Sequence, residues 1–142
     1  MKNVISFKRS RRSFIGNYIL SILLIIFFIL SNSQWKLPSI IVAFFLILII
    51  FFLLEPEASI VYKTYHIGKN YVYEVKGILS KKKISIPYAS ISNVRLEKGV
   101  IGRMFHFGDI IIESFSTNLV FKGIARPEKK FKLIEKNVER AR

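Results

Sequence analysis

Cysteine is absent from the 142-residue chain. No disulfide or thiolate metal site can therefore form, a usage that suits a reducing compartment. Acid is scarce: nine Asp and Glu stand against 23 Lys and Arg, for a formal net charge of +14. Asp109 is the sole aspartate, and His66 and His106 are the sole histidines. Their separation matches no metal-ligand spacing, and His106 between two phenylalanines reads as a packed loop residue rather than a base. No nucleophile motif, phosphate loop or dinucleotide fingerprint occurs. Ser80, Ser85, Ser90 and Ser92 alternate with apolar residues or fall in turns, as structural serines do. The expectation is a protein without enzymatic activity and without a cofactor. No repeat and no low-complexity linker interrupts the chain.

Charge is missing altogether from residues 14–30 and 37–54. At about 1.5 Å per residue, each run spans roughly 25–27 Å as a helix, close to a bilayer's ~30 Å hydrocarbon core. Backbone in lipid must satisfy its own hydrogen bonds, so both runs are expected to be helical. Residues 31–36 between them are polar and turn-like, and Trp35 suits a membrane interface. The reading is an antiparallel transmembrane hairpin over residues 14–54. A signal peptide is the competing reading, but its apolar region is usually about 7–15 residues, and here a second apolar run follows at once. Neither span holds Asp, Glu, Arg or His, so nothing suggests an ion relay.

Residues 1–13 form a basic arm with Lys2, Lys8, Arg9, Arg11 and Arg12 and no acid. Against Lys36 alone in the connecting loop, these cations place both termini in the cytoplasm by the positive-inside rule. The expected location is the cell membrane, as a multi-pass protein. Nucleic acid is not expected as a partner, because a basic arm beside a span serves as a topology signal that also touches anionic headgroups.

Glu55-Pro-Glu57 is expected to end the second helix, since proline removes a ladder donor. From there the periodicity becomes two. Tyr71, Tyr73 and Val75 share one strand face, with Val72, Glu74 and Lys76 on the other. Ile84, Ile86 and Tyr88 alternate likewise, as do Val94 and Leu96. Residues 68–70 and 77–82 read as hairpin turns, and residues 88–92 as a turn or bulge. Residues 109–115 read as a buried strand, followed by another around Leu119 and Phe121. Pro127 and Glu128 open a final helix, about residues 127–141, whose stripe is Phe131, Ile134 and Val138. About six strands and one helix make a small antiparallel barrel, or pair of orthogonal sheets, over residues 56–142. The fold class is thus α+β, with a transmembrane helical hairpin preceding a helix-capped β domain.

Four segments carry a resemblance: Tyr71-Val-Tyr-Glu-Val-Lys-Gly77-Ile-Leu, Ile84-Ser-Ile-Pro87-Tyr88-Ala-Ser-Ile91, Arg103-Met-Phe-His-Phe-Gly108-Asp109-Ile, and Gly123-Ile-Ala-Arg-Pro127. Over residues 65–134 the chain resembles the bacterial pleckstrin-homology-like (PH-like) domain of YdbS-like membrane proteins. Two spans directly before such a domain also fit that family. His106 is a departure, standing where relatives often carry glycine. The resemblance implies a PH-like barrel without enzymatic activity, and structural roles for Gly77, Pro87, Tyr88, Arg103, Gly108, Asp109 and Pro127.

Positive charge is the feature that points to function. Residues 55–142 hold 17 Lys and Arg against all nine acids. Lys81, Lys82 and Lys83 are consecutive in an expected hairpin, while Lys129, Lys130 and Lys132 on the last helix read as solubilising charge. Each cation near an anionic leaflet contributes about 1 kcal/mol. Candidate headgroup contacts are therefore Lys8, Arg9, Arg11, Arg12, Lys81, Lys82 and Lys83. Two functions of different class follow. One is a lipid-facing module at the inner leaflet. The other is a protein-interaction or self-assembly scaffold, with a homo-oligomer or a protein partner as the assembly, that uses sheet edges or the apolar 110–115 strand and is anchored by the hairpin.

Overall fold

The computed structural model describes residues 4–142, so Lys2 of the basic arm lies outside the described residues. Two compact units emerge, Phe14–Ser59 and, separately, residues 4–13 together with Ile60–Arg142.

The first unit contains α1 (Ile15–Trp35) and most of α2 (Ser39–Tyr62). Both helices are long and apolar enough to cross a membrane. Large side chains such as Ile40, Ile47 and Phe51 are exposed, and water would not tolerate such a surface. Phe45 packs between Phe27 and Phe28, with ring centroids 6.0 and 5.9 Å away. Asn17 Nδ2 donates to Glu55 Oε2 at 3.1 Å. Two helix ends depart from expectation. Ser31 to Gln34 are helical rather than a turn, because nothing before Lys36 (φ 41°) and Pro38 breaks the ladder. The second helix also runs through Pro56 to Tyr62. One absent N–H costs one bond, which an otherwise complete helix can absorb.

The second unit consists of two antiparallel sheets and two helices. Sheet A has the order β1 (Ile5–Lys8), β2 (Lys63–Ile67), β3 (Tyr71–Lys76), β4 (Lys82–Pro87). Sheet B runs β5 (Ile91–Glu97), β6 (Phe107–Ser114), β7 (Asn118–Ala125). A 3-10 turn at Tyr88–Ser90 carries the chain from one sheet to the other, and the β5–β6 register shifts between Ile91 and Asn93. The amphipathic helix α4 (Pro127–Ala141) buries Ile134 and Val138. Among the described residues the sheets do not close into a continuous barrel by ladder pairing.

Alternation fills the space between the sheets. Tyr65, Ile67, Val72 and Ile86 of sheet A meet Ile110, Ile112, Leu119 and Phe121 of sheet B. Tyr65 and Phe121 lie 4.7 Å apart by centroid, and Phe7 of β1 packs on both rings at 5.8 and 5.6 Å. Such aromatic pairs add about 0.5–1.5 kcal/mol each beyond area burial.

Residues 5–8 are therefore a strand of the domain. The fragment 56–142, expected to be the whole β module, lacks one edge of its own sheet. A short helix, α3 (Val100–Phe105), follows β5 and is too short for its periodicity to show in the sequence.

Candidate functional site

The chain leaves sheet A at Lys8 and re-enters it at Lys63, and these two strands are antiparallel neighbours with Lys8 opposite Thr64. Everything between, both apolar helices included, is an insertion in a strand-to-strand connection. Both attachments are at one end of the sheet. Register gathers lysines there: Lys63, Lys76 and Lys82 form one cross-strand row, and Lys8, Thr64, Val75 and Lys83 form the next. Directly opposed residues share a face, so the first row closes the mouth of the core and the second lies on the outer surface.

One acid moderates the inner row. Glu74 is 3% exposed and lies 3.4 Å from Lys76 Nζ and 4.0 Å from Lys63 Nζ. Burial lowers the Lys63 pKa, and Glu74 partly opposes that. Among the described residues Lys8, Lys81 and Lys82 form no ion pair. Lys83 differs: its Nζ lies 4.1 Å from the Tyr73 ring and 5.3 Å from that of Tyr71, a cation–π seat on the outer face. His66 stacks on the same Tyr73 at 4.5 Å and meets Ser6 Oγ through Nδ1 at 2.8 Å. Burial first, and Lys83 second, hold its pKa below the usual histidine value.

The remaining basic candidates lie where β1 gives way to α1. Arg9 Nε donates to Ser13 Oγ at 3.0 Å, and Ser10 N donates to Gly123 O at 2.7 Å. Arg11 and Arg12 open a 3-10 turn, from which Arg12 reaches the Phe105 carbonyl at 3.4 Å. The structure thus brings Lys8, Lys81, Lys82 and Lys83 to one end of sheet A. It uses Arg9 and Arg12 at least partly to fasten the chain before the helices.

The motif residues fall in three places. Gly77 (φ 108°) starts the β3–β4 turn, and its N–H donates to Tyr62 O at 2.9 Å. Any Cβ there would collide with the Ser80 carbonyl oxygen. Pro87 ends β4 and Tyr88 is buried in the sheet-to-sheet corner; Tyr88 donates its hydroxyl to Gly68 O at 2.7 Å and accepts from Asn137 Nδ2 at 3.1 Å. Burial raises its pKa. Gly108, Asp109 and Pro127 lie near the start of β6. A Cβ on Gly108 would meet Lys98 and Glu97, with Pro127 at 3.3 Å, while Asp109 Oδ1 accepts from Gly123 N at 2.7 Å. Arg103 is exposed on α3.

Three expectations need correction. His106 is exposed in a left-handed conformation (φ 55°) as the C-cap of α3, not packed; that conformation is the one a glycine adopts most easily. Lys130 is not solvated charge, since its Nζ donates to Ala125 O at 2.9 Å and lies 5.0 Å from the Phe7 ring, and burial lowers its pKa. The 110–115 strand is no free surface: β6 is the middle strand of sheet B, with Ile110 and Ile112 in the core. Only Phe115, beyond the strand, is exposed.

Among the described residues no three His, Asp or Glu side chains gather as a metal site. The sequence reading missed two exposed apolar features, Ile78 and Leu79 at the β3–β4 tip and Val100, Ile101 and Met104 on α3. Two adjacent aliphatics where a hairpin normally carries turn residues were the available signal.

A family model described as bacterial PH domain matches residues 12–142. The matched span takes in both apolar helices and leaves β1 outside it. No curated protein and no solved structure gives a match.

Proposed function

The chain belongs to the bacterial PH domain family, and from that premise we propose that it is a non-enzymatic membrane protein whose PH-like domain contacts anionic lipid headgroups at the cytoplasmic surface. The two helices cross the bilayer as a hairpin, and both termini lie in the cytoplasm. One observation carries the reading. The strand register collects Lys8, Lys63, Lys76, Lys82 and Lys83 at the sheet end where the chain departs for the apolar helices and returns from them. Five residues lie between Lys8 and Phe14 and eight between Leu54 and Lys63, so two short tethers act on that one end. At no more than about 3.5 Å per residue they keep it near the leaflet. Tethering raises the local lipid concentration, so individually weak contacts suffice.

The test uses the full chain in micelles supplemented with equimolar neutral and anionic phospholipid, with retained lipid identified by native mass spectrometry. Anionic lipid is expected in excess, falling toward parity when Lys8, Lys81 and Lys82 become Gln. Equal retention of both lipids in the unaltered chain sinks the headgroup reading. Orientation is tested separately with Asn118→Cys, the chain having no native cysteine. An impermeant maleimide applied to intact cells is expected to leave it unlabelled, and labelling before lysis reverses the topology.

A further inference from the structure

We propose that the β3–β4 tip is a membrane wedge, with Ile78 and Leu79 inserted at the headgroup–acyl boundary of the leaflet that receives the two tethers. This rests on the reading above and adds a depth to it. Lys81 and Lys82 then lie at headgroup level beside the wedge.

Leu79 is 101% exposed and Ile78 62%. Single exposed aliphatics are ordinary on protein surfaces. An adjacent pair at the apex of a hairpin, followed after Ser80 by three lysines, is not. Hairpin apices usually hold Gly, Asn, Asp or Ser, which satisfy turn geometry and face water. Here Gly77 supplies the positive φ, and the apex is given to aliphatic side chains instead. Aliphatics beside lysines are the composition of segments that lie in a membrane interface.

Position selects the bilayer as the occupant. The Gly77 N–H donates to the carbonyl of Tyr62, the last residue of α2, so the root of the tip is bonded to the chain where it arrives from the second apolar helix. The tip has no apolar seat on its own sheet, because the nearest inward row is Lys63, Lys76 and Lys82. Phe115 offers a contrast. It is as exposed as the tip but is flanked by Ser, Thr and Asn with no lysine, and its turn follows Ser114, which pairs with Ile91 beside the sheet-to-sheet corner.

The absence of native cysteine makes the depth measurable. Leu79→Cys and, in the β2–β3 turn at the other end of sheet A, Lys69→Cys each receive a nitroxide in the full chain. Both are reconstituted in neutral vesicles and in vesicles containing anionic phospholipid. Collision with oxygen, which partitions into lipid, is compared with collision with a water-soluble nickel chelate. In anionic vesicles oxygen is expected to dominate by severalfold at position 79 and nickel at position 69. Loss of the oxygen excess at position 79 in neutral vesicles supports wedge and headgroup contact together. An equal excess in both vesicles upholds the wedge and removes the requirement for anionic headgroups. A label at position 79 that is aqueous in both overturns the wedge, while the retained-lipid experiment still decides headgroup contact by itself.

Discussion

The backbone N–H of Gly123 donates to Asp109 Oδ1 at 2.7 Å, and the carbonyl of the same glycine accepts from Ser10 N at 2.7 Å. Two motif segments on the neighbouring strands β6 and β7 thus meet at one residue, which also holds the stretch leading into α1. Gly123 has φ 61°, and a Cβ on it would come within 2.5 Å of Ser13 Oγ and 2.8 Å of Arg9 Cγ.

Gly123→Ala is accordingly expected to loosen residues 9–13. The left-handed conformation costs an L-residue about 1–2 kcal/mol before any clash, or roughly five- to thirtyfold in the open population. Trypsin cleavage after Arg9, Arg11 and Arg12 in the reconstituted chain reads this directly. Unchanged cleavage would show that the clamp holds nothing.

Joining residues 1–13 to residues 60–142 through a short Gly/Ser linker is expected to give a water-soluble, folded domain, since β1 and β2 are antiparallel neighbours. Residues 60–142 alone are expected to be poorly folded, because they lack Phe7 and its packing on Tyr65 and Phe121. Amide dispersion in NMR distinguishes the two. Within the joined form, Phe7→Ala is expected to cost about 2 kcal/mol, below the range for a fully buried ring. Equal dispersion in both fragments would make β1 dispensable.

Tyr88 fastens the β2–β3 turn, the corner and α4 through one hydroxyl. Tyr88→Phe leaves the Gly68 carbonyl and the Asn137 amide short of a partner and is expected to cost about 1–2 kcal/mol. Combined with Asn137→Leu, the loss is expected to be less than additive by about 1 kcal/mol. Denaturant unfolding of the joined form measures both, and full additivity would remove the Tyr88–Asn137 link.

His66 predicts the pH response. Its folded pKa lies below the ordinary 6.5, from burial and then from Lys83. The unfolded chain therefore binds the proton more readily, and stability falls as pH drops through about 6.5 toward the lowered folded value. Thermal melts of the joined form at about pH 7.5 and about pH 5.5 should show a drop that His66→Gln reduces. Identical drops in both proteins would assign the pH dependence to other groups.

The division between sequence and structure follows the range of each signal. Helix from residue 15, strand alternation at Val72, Glu74, Ile84 and Ile86, and the stripe on α4 were legible because periodicity is local. The membrane-length runs were legible because lack of charge over that distance has few other uses. Pro56 misled, since a single lost bond decides a helix end only when nothing else sustains the helix. β1 was illegible for a related reason: four residues with a single cation, set in an arm that holds five, read as part of a topology signal, and only pairing with β2, across an insertion of both helices, makes them a strand. The gathering of Lys8 with Lys82 and Lys83, the withdrawal of Lys130 onto Phe7, and the projection of Leu79 were likewise tertiary outcomes. Sequence alone determined which segments are oily, which alternate and how much charge the chain carries. Register and packing decided which charges share a surface, because cross-strand neighbours are set by hydrogen-bond pairing between residues that the chain itself keeps more than fifty positions apart.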